Sequence, residues 1–321
     1  MKLKTGKNIV SILCIMVLFV SISLSACGES TDDTKEPSVE TTTEKETETE
    51  TEEEVVENYT TPTDFATKKS DVDYGKLEEV EYNSTTTGNV RKCYVLTPAG
   101  YSEEKEYPIL YLLHGIGGTH TEWLGGSPQN IIGNLIASGE AKEMIVVMPN
   151  VRAMANDGTP SNILSQENID AFDNFINDLK VDLMPFIEEN YSVSTKWEDT
   201  AIAGLSMGGR EALFIGFSML DTFSYIGAFS PAPGLLPDTS LDYAGQFQED
   251  EFTITEGDTI PKLILICNGQ SDATIGTVPS YYHNTLTNNN VDHIWYTTTG
   301  GHDFTVWKNG LYNFVSRIFK D

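Results

Sequence analysis

Gly204-Leu205-Ser206-Met207-Gly208 is the run with the clearest chemical content in this 321-residue chain. A serine hydroxyl is a weak nucleophile unless a base removes its proton and its backbone exposes it. An apolar segment, Thr200–Ala203, leads into the run, and a helical pattern, Gly209–Leu220, leaves it. Between strand and helix the turn must be so tight that the central residue is strained. Glycines two before and two after keep side chains from colliding there, and the serine oxygen is lifted beside the positive end of the following helix. Ser206 is therefore the expected nucleophile.

Such a serine needs a base, and the base needs an orienting carboxylate, in the chain order serine, acid, histidine. Of the five histidines, His302 lies in Gly300-Gly301-His302-Asp303-Phe304, directly after the apolar run Ile294–Thr298 and before a C-terminal helical pattern. His114 precedes the serine, and His120, His283 and His293 fall in a loop, a helix and a strand start; packing or surface roles suit those four. For the acid, Asp272 follows the apolar run KLILIC in a Gly-containing loop, which puts it at the carboxyl edge of the sheet. Asp258 and Asp292 precede strands, and Asp303 adjoins the base itself. Asp272 is the expected acid.

Acyl transfer also needs two donors for the developing oxyanion. One is expected from the Met207 amide, which follows the nucleophile. The second is expected from Ile116 in LLHGIGG (Leu112–Gly118), with Gly115 and Gly117 as alternatives. Trp123 and Trp307 are candidates for lining a substrate pocket, though tryptophan is often simply core. No metal or organic cofactor is required.

The elements that would position these groups alternate. Short apolar runs at Val90–Thr97, Tyr107–Leu113, Met144–Met148, Thr200–Ala203, Tyr225–Phe229, Lys262–Cys267 and Ile294–Thr298 read as strands, most of them buried on both faces. Helical patterns lie at Pro128–Ala137, Ala171–Asn190, Gly209–Leu220, Ser280–Asn288 and Val306–Phe319. Alternation implies an α/β domain with a mainly parallel sheet covered by helices on both faces, the α/β-hydrolase fold. It is expected to span residues 63–321.

The N-terminal part has a different character. Lys2, Lys4 and Lys7 precede an apolar stretch, Ile9–Leu24, that ends in Leu24-Ser25-Ala26-Cys27. This resembles the bacterial lipobox, which implies a signal peptide over 1–26 and a lipidated Cys27 outside the cytoplasm. Residues 27–62 are rich in Thr and Glu and read as a solvated linker. The net charge of −28 disfavours nucleic acid and anionic lipid as partners and leaves neutral polymers or uncharged esters. Cys93 and Cys267 sit in separate apolar runs and read as buried thiols.

YPILYLLHGIGGTHTEW, IAGLSMGGREAL and GGHDFTVWKNGLYNF together resemble carbohydrate esterase family 1, above all the feruloyl esterase modules attached to bacterial xylanases. The resemblance runs from about Tyr74 to the C-terminus and takes in TPAGYS and VVMPN. It implies Ser206 as nucleophile, Asp272 as acid, His302 as base, and Ile116 and Met207 as oxyanion donors. It further implies release of ferulate or related hydroxycinnamates from arabinoxylan-derived glycans, with acetyl xylan, siderophore esters and acyl transfer as alternatives within the same superfamily. The expected partner is thus an acylated plant cell-wall glycan, with membrane contact only through the lipid. A serine peptidase and a non-catalytic glycan-binding lipoprotein are the rival readings.

Overall fold

The computed structural model describes residues 58–239 and 243–320. The signal-like segment, Cys27 and the linker through residue 57 lie outside the described residues. The strands are β1 (Lys76–Ser84), β2 (Asn89–Thr97), β3 (Ile109–Leu113), β4 (Ile145–Pro149), β5 (Thr200–Leu205), β6 (Tyr225–Phe229), β7 (Leu263–Gly269) and β8 (Ile294–Thr298). They form one sheet in the order β1-β2-β4-β3-β5-β6-β7-β8. β2 pairs antiparallel with β1 and with β4, whereas every pairing from β4 through β8 is parallel.

Alternate residues of the central strands serve two separate cores. Ile109, Tyr111 and Leu113 of β3 face one, and Leu110 and Leu112 face the other. Helices α1 (Pro128–Ala137) and α7 (Phe304–Val315) cover the second face through Ile131, Leu135, Leu311 and Phe314. α5 (Met207–Ser218) and α6 (Val278–Asn288) cover the first through Leu213, Ile215, Tyr282 and Leu286. All five residues of β3, β4 and β6 are buried, which is why those strands read as continuous apolar runs.

Two elements depart from expectation. β1 was absent from the sequence reading because its outer positions are charged: an edge strand written KLEEVEYNS buries only Tyr82 and Ser84 fully. The single helix expected over Ala171–Asn190 is instead a relay of α2 (Gln166–Asp173), α3 (Phe175–Asp178), a π turn (Leu179–Leu183) and α4 (Met184–Asn190). Pro185 accounts for the π turn into α4, since it has no N–H to offer the Val181 carbonyl and its ring crowds that carbonyl. The relay begins early because Ser165 caps it, accepting from the Asn168 N–H.

The chain is already docked at Tyr59, ahead of the expected domain start at residue 63. Its ring stacks on Tyr296 at 4.1 Å, and its carbonyl accepts from the Asn309 and Asn313 side chains. Cys93 in β2 and Cys267 in β7 are buried and unpaired, and burial pushes both thiols up to about 12.

Candidate active site

Ser206 caps β5 and begins the turn into α5 with φ 51° and ψ −119°, a strained conformation for a residue with a Cβ. The surroundings enforce it. Its N–H donates to Phe229 O at 2.9 Å, and its carbonyl accepts from Arg210 and Ala232 N–H at 3.0 Å each. A Cβ on Gly204 would lie 2.3 Å from the Gly208 backbone, and one on Gly208 would lie 2.5 Å from the Leu113 and His114 carbonyls. Both glycines are therefore needed for this turn to close against β3.

The parallel order then delivers the partners. β7 and β8 end at the same carboxyl edge as β5, so Asp272 and His302 follow strands that point the right way. A Cβ on Gly269 would meet the Gly300 and Gly301 carbonyls at 2.6 Å, so these two loops approach as closely as backbones can. His302 Nε2 lies 2.9 Å from Ser206 Oγ, and His302 Nδ1 lies 2.8 Å from Asp272 Oδ2. The Asp272 side chain is fully buried, and its other oxygen accepts from Thr274 and Ile275 N–H at 3.0 and 3.3 Å. With its carboxylate so fixed, Asp272 sets the tautomer that leaves Nε2 facing the serine.

The alternative residues fall elsewhere. Asp303 caps α7, its side chain accepting from Thr305 N–H at 2.7 Å. His120 bonds Glu79 at 2.9 Å on the surface, and His283 and His293 pair with each other at 2.7 Å. His114 is buried, and burial holds its imidazole down near about 4.

A cavity of about 300 Å³ opens over Ser206. Ile116 and Met207 line it, and neither backbone N–H has an acceptor among the described residues. Two donors at the nucleophile, one of them at a helix N-terminus, are what a developing oxyanion requires. The rest of the lining is mostly apolar and includes Leu164, Ile169, Tyr243, Ile275 and Trp307.

The two tryptophans separate. Trp307 lines the cavity and meets the His302 ring edge-to-face at 5.2 Å. Trp123 does not line it, and that expectation is corrected: the ring is 1% exposed, packed edge-on against Phe229 and Phe304, with its Nε1–H on Leu113 O at 2.9 Å. Its indole found a carbonyl at the end of β3 and so became core. Sequence reasoning passed over Leu164, Ile169, Tyr243 and Ile275, which lie on connections with no motif to mark them. It also passed over Glu122, inside the quoted HGIGGTHTEW, whose carboxylate accepts the Gly115 N–H at 2.7 Å and lines the same cavity.

Residues 84–318 match the family described as "Putative esterase". Among solved structures, a CE1 ferulic acid esterase from Anaeromyces mucronatus is 39% identical with a TM-score of 0.75, covering 82% of this chain and 97% of that one. The same enzyme in complex with ferulic acid superposes with a TM-score of 0.77 at 38% identity. An endo-1,4-beta-xylanase/feruloyl esterase of Xylanibacter ruminicola is 34% identical over 177 residues, 52% of this chain. The match spans only 23% of that relative's length. An acetyl esterase of Caldicellulosiruptor saccharolyticus is 26% identical over 66% of this chain and 83% of its own.

Proposed function

The chain belongs to this esterase family, and we propose that it is a serine carboxylic-ester hydrolase that releases ferulate or related hydroxycinnamates from acylated plant cell-wall glycans. One observation carries the reaction: the Asp272–His302–Ser206 relay, at 2.8 and 2.9 Å, opens on two backbone N–H groups that no described residue accepts. His302 Nε2 accepts the Ser206 proton as Oγ attacks the ester carbonyl. The Ile116 and Met207 N–H groups hold the oxyanion, and His302 then returns the proton to the departing sugar alcohol. Water repeats the sequence on the acyl-serine.

The cavity supports an aromatic acyl preference. An acetyl group would leave Leu164, Ile169, Tyr243 and Ile275 facing empty space, whereas a planar phenylpropenoyl group would cover them. The ferulic acid complex of the Anaeromyces enzyme supports the same reading. The acetyl esterase relative supports an acetyl ester as the second reading, and acetylated xylan is the glycan form of it to test.

A panel of methyl ferulate, acetylated xylan and a siderophore ester tests both. Methyl ferulate is expected to give the highest kcat/KM, with Ser206→Ala lowering it at least about 1,000-fold and abolishing fluorophosphonate labelling. Preferred turnover of acetylated xylan would reverse the acyl assignment, and activity surviving in Ser206→Ala would remove the mechanism.

We also propose that Cys27 carries lipid and holds the enzyme at the outer side of a bacterial cell membrane, on the strength of Leu24-Ser25-Ala26-Cys27 after a basic and apolar leader. A tethered esterase suits soluble feruloylated oligosaccharides better than intact arabinoxylan. Wild-type protein is expected to stay with washed cells and to incorporate a palmitate analogue, and Cys27→Ala to do neither; a labelled Cys27→Ala protein would refute the assignment.

A further inference from the structure

Gly115–Gly118 carries the donor that completes the oxyanion site, yet a loop with three glycines in four residues has little intrinsic preference for one shape. Three buried or part-buried side chains restrain it. Glu122 accepts the Gly115 N–H at 2.7 Å. His114 Nδ1 lies 2.7 Å from the Gly115 carbonyl, and with Nε2 accepting from the Val151 N–H at 2.8 Å that ring nitrogen is the donor. Arg152 donates from Nη2 to the Ile116 and Gly118 carbonyls at 3.1 and 3.0 Å.

Arg152 is itself locked. It is fully buried, its Nε donates to Asn168 Oδ1 at 2.6 Å, its Nη1 to Asp157 O at 3.1 Å, and its guanidinium lies 5.6 Å from the Phe172 ring centre. A buried arginine spending two bonds on one loop is costly to place there unless the loop's position matters.

A trans peptide is planar, with its C=O and N–H pointing in opposite directions. Fastening the Gly115 carbonyl on one side therefore fixes the direction of the Ile116 N–H on the other, where no acceptor among the described residues takes it. Fastening the Ile116 and Gly118 carbonyls to Arg152, and the Gly115 N–H to Glu122, prevents the loop from rotating those planes. We propose that Arg152 and Glu122 are positioning residues for the oxyanion site, acting through the Gly115–Gly118 backbone. In this scheme Glu122 acts by holding the Gly115 N–H through Oε2, not as an acid or base. The proposal rests on the esterase reading.

Its signature is a loss in kcat without a matching loss in substrate binding. Kinetics on methyl ferulate, counted per site by end-point fluorophosphonate labelling, separate that from loss of folded protein. Arg152→Ala and Glu122→Ala are expected to lower kcat about 100-fold with KM within about threefold, as for a lost oxyanion donor. A boronic acid that mimics the tetrahedral state is expected to weaken by a similar factor. Glu122→Gln keeps an oxygen for the Gly115 N–H and is expected to stay within about fivefold of wild type. If Arg152→Ala does not fold, the Glu122 pair decides alone. Unchanged kcat per labelled site in Glu122→Ala, or equal damage in Glu122→Gln and Glu122→Ala, would overturn the proposal. A wild type that turns over no ester would instead sink the esterase reading, so the two failures are distinct.

Discussion

Gly208 in the first turn of α5 rests directly on Leu113 at the end of β3, where a Cβ would come within 2.5 Å of the Leu113 carbonyl. This contact sets the distance between the nucleophile's helix and the strand that launches the Ile116 loop. Gly208→Ala is therefore expected to separate the two donors of the oxyanion site while leaving Ser206, His302 and Asp272 in the chain. An overpacked backbone contact costs about 1–3 kcal/mol, enough to lower the melting temperature but not to unfold a domain of this size. Activity should fall at least about 100-fold in protein whose far-ultraviolet circular dichroism is unchanged. Wild-type turnover in that variant would mean that α5 and β3 move apart without consequence.

Asp272 joins two loops that the sheet brings together, and its role can be isolated by a nearly isosteric change. In Asp272→Asn the remaining oxygen can still accept from Thr274 and Ile275, so the loop should hold its shape. The amide, however, can present N–H where His302 Nδ1 needs an acceptor, which favours the wrong tautomer. A fall in kcat of about 10,000-fold with little change in melting temperature is expected. A loss of less than tenfold would remove Asp272 from the relay.

His114, whose Nδ1–H also holds the Gly115 carbonyl, gives a pH dependence of stability. Burial is the main cause of its depressed value of about 4, against about 6.5 in an unfolded chain. Between these values the unfolded state binds a proton that the folded state refuses, so stability is full above about pH 6.5 and falls as pH drops toward 4. The loss is roughly 3 kcal/mol for this one group. Urea midpoints at pH 8, 6 and 4.5 should therefore drop more steeply for wild type than for His114→Asn, which is less stable at pH 8 but lacks the titration. Parallel curves for the two proteins would show that His114 is not the source.

Much of the site was readable because it is built from local rules. The G-x-S-x-G turn needs glycine at Gly204 and Gly208 for reasons of space alone, and Asp272 and His302 each follow an apolar run that can only be a buried strand. The cavity wall was not readable, since Leu164 and Ile169, Tyr243, and Ile275 come from three connections, β4 to β5, β6 to β7 and β7 to β8, whose meeting depends on the whole sheet order. Trp123 shows the limit of residue type as a guide. It follows the Leu112–Gly118 loop as a pocket residue could, but the Leu113 carbonyl gave its indole a buried partner and drew it into the core. The π turn in the helical region after Ser165 was written at Pro185, while the apolar spacing around it still read as one helix.

Leu164 and Trp307 both line the cavity, but acyl specificity should reside in Leu164 alone, so the two should fail in different ways. Leu164 is 70% exposed although it lines the cavity, so nothing in the fold holds it there and its apolar surface is available to an aromatic acyl group. Leu164→Ser should leave stability unchanged and lower kcat/KM for methyl ferulate by about three- to tenfold, the worth of a partly covered side chain. An acetyl ester, too short to reach it, should be hydrolysed as by wild type. Trp307 instead supports His302 edge-on, and its Nε1–H is buried with no partner among the described residues. Trp307→Phe therefore removes no hydrogen bond and keeps a ring against His302. Trp307→Ala empties the space beside the base, costs about 3–5 kcal/mol of stability, and should lower kcat on both esters alike. Kinetics of the three variants on methyl ferulate and 4-nitrophenyl acetate check the division. A Leu164→Ser enzyme that loses both activities equally would show that the exposed leucine supports the relay rather than the acyl group.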